Sequence, residues 1–213
     1  MPSRASSFWK VIRVAGALAG LAAWPGTGQA QLDLGGATQT LTGTTQTLTG
    51  QASAVTAVVL GTVTSLADSG TLVDAADPLG TGQPTGSIPD ILSAEALHAS
   101  TMGWTDQVAS EASLGNLVMS VAGTGISADV IMSRALAVSG AVPTGLSNIE
   151  GLTIGGVSVS PTGAPNQTVS LLGLSVILNE QIQSASGIVV NALHVRTLDG
   201  LTDVVVGAAK AGI

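Results

Sequence analysis

Apolar and polar residues alternate along most of this chain in short runs. Such alternation places one face of a strand inward and the other toward water. It predicts strands over residues 52–60, 62–67, 92–101, 107–114, 117–122, 126–138, 149–154, 157–160, 168–172, 175–179, 188–197 and 203–208. Gly, Asn and Thr-Gly pairs separate the runs, and two dipeptides have the form of tight hairpin turns. These are Gly115-Asn116 between Leu114 and Leu117, and Gly155-Gly156 between Ile154 and Val157. Residues 74–90 hold Pro78, Pro84 and Pro89 with Gly80, Gly82 and Gly86, which predicts a loop. Strands at this spacing, with no long helical period, predict an all-β antiparallel β-sandwich. A β-barrel-like closure or a short β-helix is the alternative.

The first 30 residues break the pattern. Arg4, Lys10 and Arg13 precede an apolar run from Val14 to Ala23, then Pro25-Gly26 and small residues at Gly28 and Ala30. That order is the layout of a secretory signal peptide cleaved before Gln31. The run stops well short of the ~20 apolar residues a spanning helix needs. Residues 31–50 carry a seven-residue repeat, Ala37–Gly43 (ATQTLTG) and Thr44–Gly50 (TTQTLTG). Two units are too few for a solenoid. They predict a Thr/Gly-rich spacer ahead of a single sandwich domain over 51–213. No transmembrane segment is expected in the mature chain.

Charge then narrows the class. The chain has 6 basic and 13 acidic residues among 213, with no Cys. The signal peptide takes half of the bases, leaving Arg134, Arg196 and Lys210 against every acid. Nucleic-acid binding needs a basic footprint, which is missing, and a disulfide scaffold is excluded. Beyond residue 30 the aromatics reduce to Trp104, so the core must be Val, Leu, Ile, Ala and Met. Few charged residues guard the strand edges, so self-association is an expected property.

Several phrases point to a family. They are Gly151–Val159 (GLTIGGVSV), Ala164–Leu171 (APNQTVSL), Val176–Gln181 (VILNEQ), Val189–Val195 (VVNALHV) and Asp203–Gly207 (DVVVG). Upstream are Ala67–Leu72 (ADSGTL), Leu97–Ala99, Ser110–Ser113 (SEAS) and Ile126–Asp129 (ISAD). Across residues 52–209 the chain resembles the choice-of-anchor P family of bacterial exported proteins. The resemblance implies export and a shared body domain that other members pair with different anchoring tails. No such tail is recognisable here. It implies no activity.

Candidate chemistry is sparse. His98 and His194 are the two histidines. Strict alternation puts His194 on a face with Ile188, Val190, Ala192 and Arg196, and Asn191 on the opposite, apolar face as a buried amide tying down a loop. If the two strands pair, His98, His194 and Glu180 (or Glu95) can form a metal site. Otherwise the histidines are plain sheet-face residues. Asn179 and Gln181 read as caps of a strand end and its turn, and Asn166 as a turn residue. Asp74, Asp77 and Asp90 lie in one acidic loop without the spacing of a known calcium motif. No catalytic motif is present. The sequence therefore predicts a non-catalytic exported protein, without cofactor, at a cell surface, in the periplasm or outside the cell. Its expected partner is an unidentified surface or extracellular one. An exported ligand- or metal-binding domain is the alternative.

Overall fold

The computed structural model describes residues 47–73 and 78–213. The predicted signal peptide, residues 31–46 of the predicted spacer, and Asp74 and Asp77 lie outside the described residues. The first sheet contains β1 (Thr49–Val59), β2 (Thr62–Asp68), β3 (Leu72–Val73), β11 (Gln167–Leu171), β12 (Leu174–Gln183), β13 (Gly187–Thr197) and β14 (Thr202–Gly212). The second contains β4 (Leu79–Ile88), β5 (Leu92–Gly103), β6 (Gln107–Val121), β7 (Thr124–Val138), β8 (Thr144–Glu150), β9 (Thr153–Ile154) and β10 (Val157–Ser158). Their orders are β11-β12-β13-β14-β1-β2, with β3 also on β1, and β10-β9-β7-β6-β5-β4, with β8 also on β7. All pairings are antiparallel, and the sheets pack face to face as a β-sandwich without closing into a barrel. Among the described residues no helix is long and apolar enough to cross a membrane.

Three predictions change. Residues 107–114 and 117–122 form one strand, β6, and the predicted Gly115-Asn116 hairpin is a bend inside it. The Pro/Gly-rich segment folds from Leu79 as strand β4. Pro84 is accommodated because β4 is the edge of its sheet, where one row of N–H groups has no partner to lose. The spacer's last residues join the body: Leu48 is buried and β1 begins at Thr49.

Strict alternation also fails, at one row of the first sheet. Ala54-Val55, Leu66-Ala67, Leu178-Asn179, Ala192-Leu193 and Val206-Gly207 each turn two successive positions inward. These pairs sit level with one another, since Leu178, Leu193, Val206, Val55 and Leu66 are register partners. Alternate strands reach the bend through left-handed backbone, at Asn179 (φ 51°), Gly207 (φ 65°) and Ala67 (φ 48°). Two adjacent inward side chains crowd the core, which explains Ala54, Ala67, Ala192 and Gly207 at this row. A Cβ on Gly207 would meet Ala192 Cβ and Ile131 Cγ2, each at 3.2 Å. In the second sheet the doubled pairs point outward: Glu95-Ala96, Gly115-Asn116 and Asp129-Val130. Inward from one sheet and outward from the other are the same direction. Both sheets therefore crease in the same sense and stay nested.

The core divides along its length. One cluster runs from Ala54 and Val55 through Leu97, Leu114 and Ile131 to Leu174, Val195 and Val204. A second gathers Leu48, Leu72, Val108, Ile188 and Val190 at the other end. Between them Thr101 and Ser110 hydroxyls lie 2.7 Å apart, and Ser110 Oγ donates to the Lys210 carbonyl at 2.6 Å. This chain of bonds ties the two sheets together.

Candidate functional site

The crease decides where the polar residues go. Because Ala192 and Leu193 both point inward, Asn191 and His194 both point outward, on the same side of β13. The strict-alternation assignment, with His194 beside Val190 and opposite Asn191, is therefore corrected. Glu180 faces outward on β12, paired in register with Asn191. His194 Nδ1 lies 2.8 Å from Glu180 Oε2, and its Nε2 lies 3.0 Å from Asp203 Oδ1 on β14. Asn191 Nδ2 donates to the same Glu180 Oε2 at 2.6 Å. The imidazole and the Glu180 side chain are only 12% and 14% exposed, whereas Asp203 is half exposed. Asn191 is buried, as predicted, yet it holds a neighbouring strand rather than a loop.

Donor counting defines what this cluster can do. A neutral imidazole has one N–H and one lone pair, and an ionised carboxylate only accepts. Each ring nitrogen of His194 faces one carboxylate, and which of them donates depends on the tautomer. Both ring nitrogens are thus engaged by neighbouring carboxylates. The arrangement clamps β12, β13 and β14 side by side.

His98 is elsewhere. It faces outward on β5, in register with Gly82 and Ser113 of the second sheet. His98, His194 and Glu180 thus do not meet. Among the described residues no group of three His, Cys, Asp or Glu side chains is placed to hold a metal ion. Glu95 accepts from Asn116 Nδ2 at 2.7 Å across the crease of the second sheet. Asp90 sits in the β4–β5 turn with φ 62°.

The amides of the Asn179-Glu180-Gln181 phrase carry structure. Asn179 Nδ2 donates to the Gly163 carbonyl at 2.9 Å, and Gln181 Nε2 donates to the Gly145 carbonyl at 3.1 Å. They do not mark a strand end, since β12 runs on to Gln183, whose amide donates to the Pro143 carbonyl at 2.7 Å. Asn166 does more than turn the chain. Its Oδ1 accepts the Gln181 N–H at 2.9 Å and its Nδ2 faces the Gln181 carbonyl at 3.4 Å. The side-chain amide stands in for a strand on the edge that β11 leaves uncovered.

Sequence reasoning missed Asp203. The usable signal was Asp199-Gly200 between two apolar runs, a turn pair that closes β13 onto β14. In the resulting register Arg196 faces Asp203 and His194 faces Val205, so Asp203 is diagonal to the histidine. A groove of about 550 Å³ on the first sheet, bounded by Ile182, Val189, Lys210 and Ile213, contains no histidine and no acidic side chain.

No family model matches the chain, and neither a curated protein nor a solved structure matches it.

Proposed function

We propose that this is an exported, non-catalytic sandwich protein that works by surface contact, at a cell surface or outside the cell. One observation carries the non-catalytic part. The most chemically capable cluster, Glu180–His194–Asp203, spends both ring nitrogens on inter-strand contacts. A general base or metal ligand needs one nitrogen free. The export part is supported by the basic, apolar and small-residue order of residues 1–30. The resemblance of residues 52–209 to the choice-of-anchor P family is in keeping with the export part.

The test has two readouts. Expression in an exporting bacterium is expected to yield a product that begins at Gln31 outside the cytoplasm. A product that keeps Met1 inside the cell overturns export. Purified protein is then assayed against ester, glycoside and peptide substrates, with His194→Gln alongside. Turnover that disappears in His194→Gln overturns the non-catalytic reading.

A further inference from the structure

Trp104 is the aromatic side chain that the sequence leaves beyond residue 30, and the fold keeps it out of the core. It is 41% exposed, in the turn between β5 and β6, where its backbone N–H donates to the Gln107 carbonyl at 2.8 Å. Packing does not require a Trp there, and Trp and Arg are the side chains most enriched where surfaces bind partners. Beside it the outer face of the second sheet dips into a hollow of about 190 Å³. The floor is low because Ala109, with only a methyl group, stands in register between Met102 and Leu136. One row along, Ser100, Glu111 and Arg134 are register partners across β5, β6 and β7. Arg134 Nε and Glu111 Oε2 are 3.6 Å apart, too far for a hydrogen bond. Their side chains are 58% and 37% exposed, so the guanidinium fork and the carboxylate oxygens stay open to a third partner.

We propose that this hollow binds one ring of a neutral sugar, with Trp104 against the ring's C–H face and Glu111 and Arg134 on its hydroxyl edge. The inference rests on the surface-contact reading above and names the partner as a glycan. Size, functional groups and charge select this ligand. The hollow is smaller than the roughly 300 Å³ at which pockets for drug-sized ligands begin, so it takes a single ring. A pyranose carries C–H bonds on a face and hydroxyls around its edge. The electron-rich face of an indole attracts the C–H bonds. A hydroxyl both donates and accepts, so neighbouring sugar hydroxyls can donate to Glu111 and accept from Arg134 at once. An anion would meet Glu111 in a chain that is already acid-rich, and a cation would meet Arg134. A neutral polyol satisfies both groups and is repelled by neither. A peptide strand has no seat here, because β5 and β6 are interior strands and offer no open edge to extend.

The test titrates the full chain with methyl β-glucoside, methyl β-galactoside, methyl α-mannoside and N-acetylglucosamine, and with galacturonate and glucosamine as charged counterparts. Binding is read by saturation-transfer NMR and by calorimetry. At least one neutral sugar is expected to bind, with saturation concentrated on the protons of one ring face, and the charged sugars are expected to bind severalfold more weakly. Trp104→Ala should weaken the neutral sugar about tenfold, and Trp104→Phe should lose less. Glu111→Gln and Arg134→Gln should each weaken it severalfold. These positions are outside the core, so the melting temperature should stay at the wild-type value. Val118→Ser, on β6 at the far end of the same face, should bind as wild type does. Binding of no neutral sugar overturns the proposal, and so does a preference for a charged one. Equal binding by wild type and Trp104→Ala overturns it too. A Trp104-dependent self-association without sugar binding also overturns it and makes this face an interface between copies of the chain. Export and the absence of turnover are read in their own assays, and none of these results touches them.

Discussion

Ser133 is fully buried, and its Oγ has no hydrogen-bond partner. It lies on β7 beside Gly207, where the doubled inward residues of the first sheet press on the second. A buried hydroxyl without a partner keeps its desolvation penalty. Ser133→Ala is therefore expected to raise stability by about 1 kcal/mol in urea denaturation. Glu180 is the opposite case, since one oxygen serves both Asn191 and His194. Glu180→Ala leaves the buried Asn191 amide without its acceptor and the nearly buried imidazole with Asp203 alone. It should lower stability by about 1–3 kcal/mol. Glu180→Gln keeps an acceptor oxygen and should lose less on the same denaturation curve.

For the strands, the crease is the feature that matters. Gly207 stands at φ 65° and has 3.2 Å of clearance to Ala192 and Ile131 for a Cβ. Gly207→Ala is expected to cost at least about 1–2 kcal/mol from the left-handed backbone alone, visible as a lower melting temperature. Edge protection is the second element-scale device. Asn166→Ala removes the side chain that pairs with Gln181. The Gln181 amide should then exchange hydrogen faster, and the protein should associate more readily as an open edge of β12 becomes available. Unchanged exchange at Gln181 would show that the Asn166 bond is not maintained in solution.

Across the whole molecule, charge is both scarce and one-sided. Among the described residues the cations are Arg134, Arg196 and Lys210, and one Arg–carboxylate contact is present, Arg134 Nε to Glu111 Oε2 at 3.6 Å. There is little ion-pair attraction for salt to screen and a good deal of acid–acid repulsion. Raising sodium chloride from low to about half-molar, where the screening length falls to a few ångströms, should raise the melting temperature. A fall would mean that attractive pairs dominate.

Much of the strand pattern was legible because a strand with one buried face records itself as alternation. The hairpins at Gly155-Gly156 and the runs ending in β13 and β14 are read directly from it. Alternation carries no information about where a strand bends within its own length, so Gly115-Asn116 has the form of a turn and a strict period assigns His194 to the face opposite the one it occupies. The same limit governed the site. His194 and Glu180 were visible as candidate chemistry, but their meeting depended on the phase change at Ala192-Leu193 and Leu178-Asn179. Asp203 entered only through the register of the next strand.

The sequence by itself determined the all-β class and the aliphatic, nearly aromatic-free core. It also determined the poverty of cations, because these follow from composition and period. Tertiary structure decided which side of each sheet the polar residues occupy, that His98 and His194 lie on different sheets, and that Trp104, Glu111 and Arg134 line one hollow. Those outcomes depend on the register among six strands and on a crease shared across five of them. Such relations exist only once non-local strands have paired, and local sequence cannot carry them.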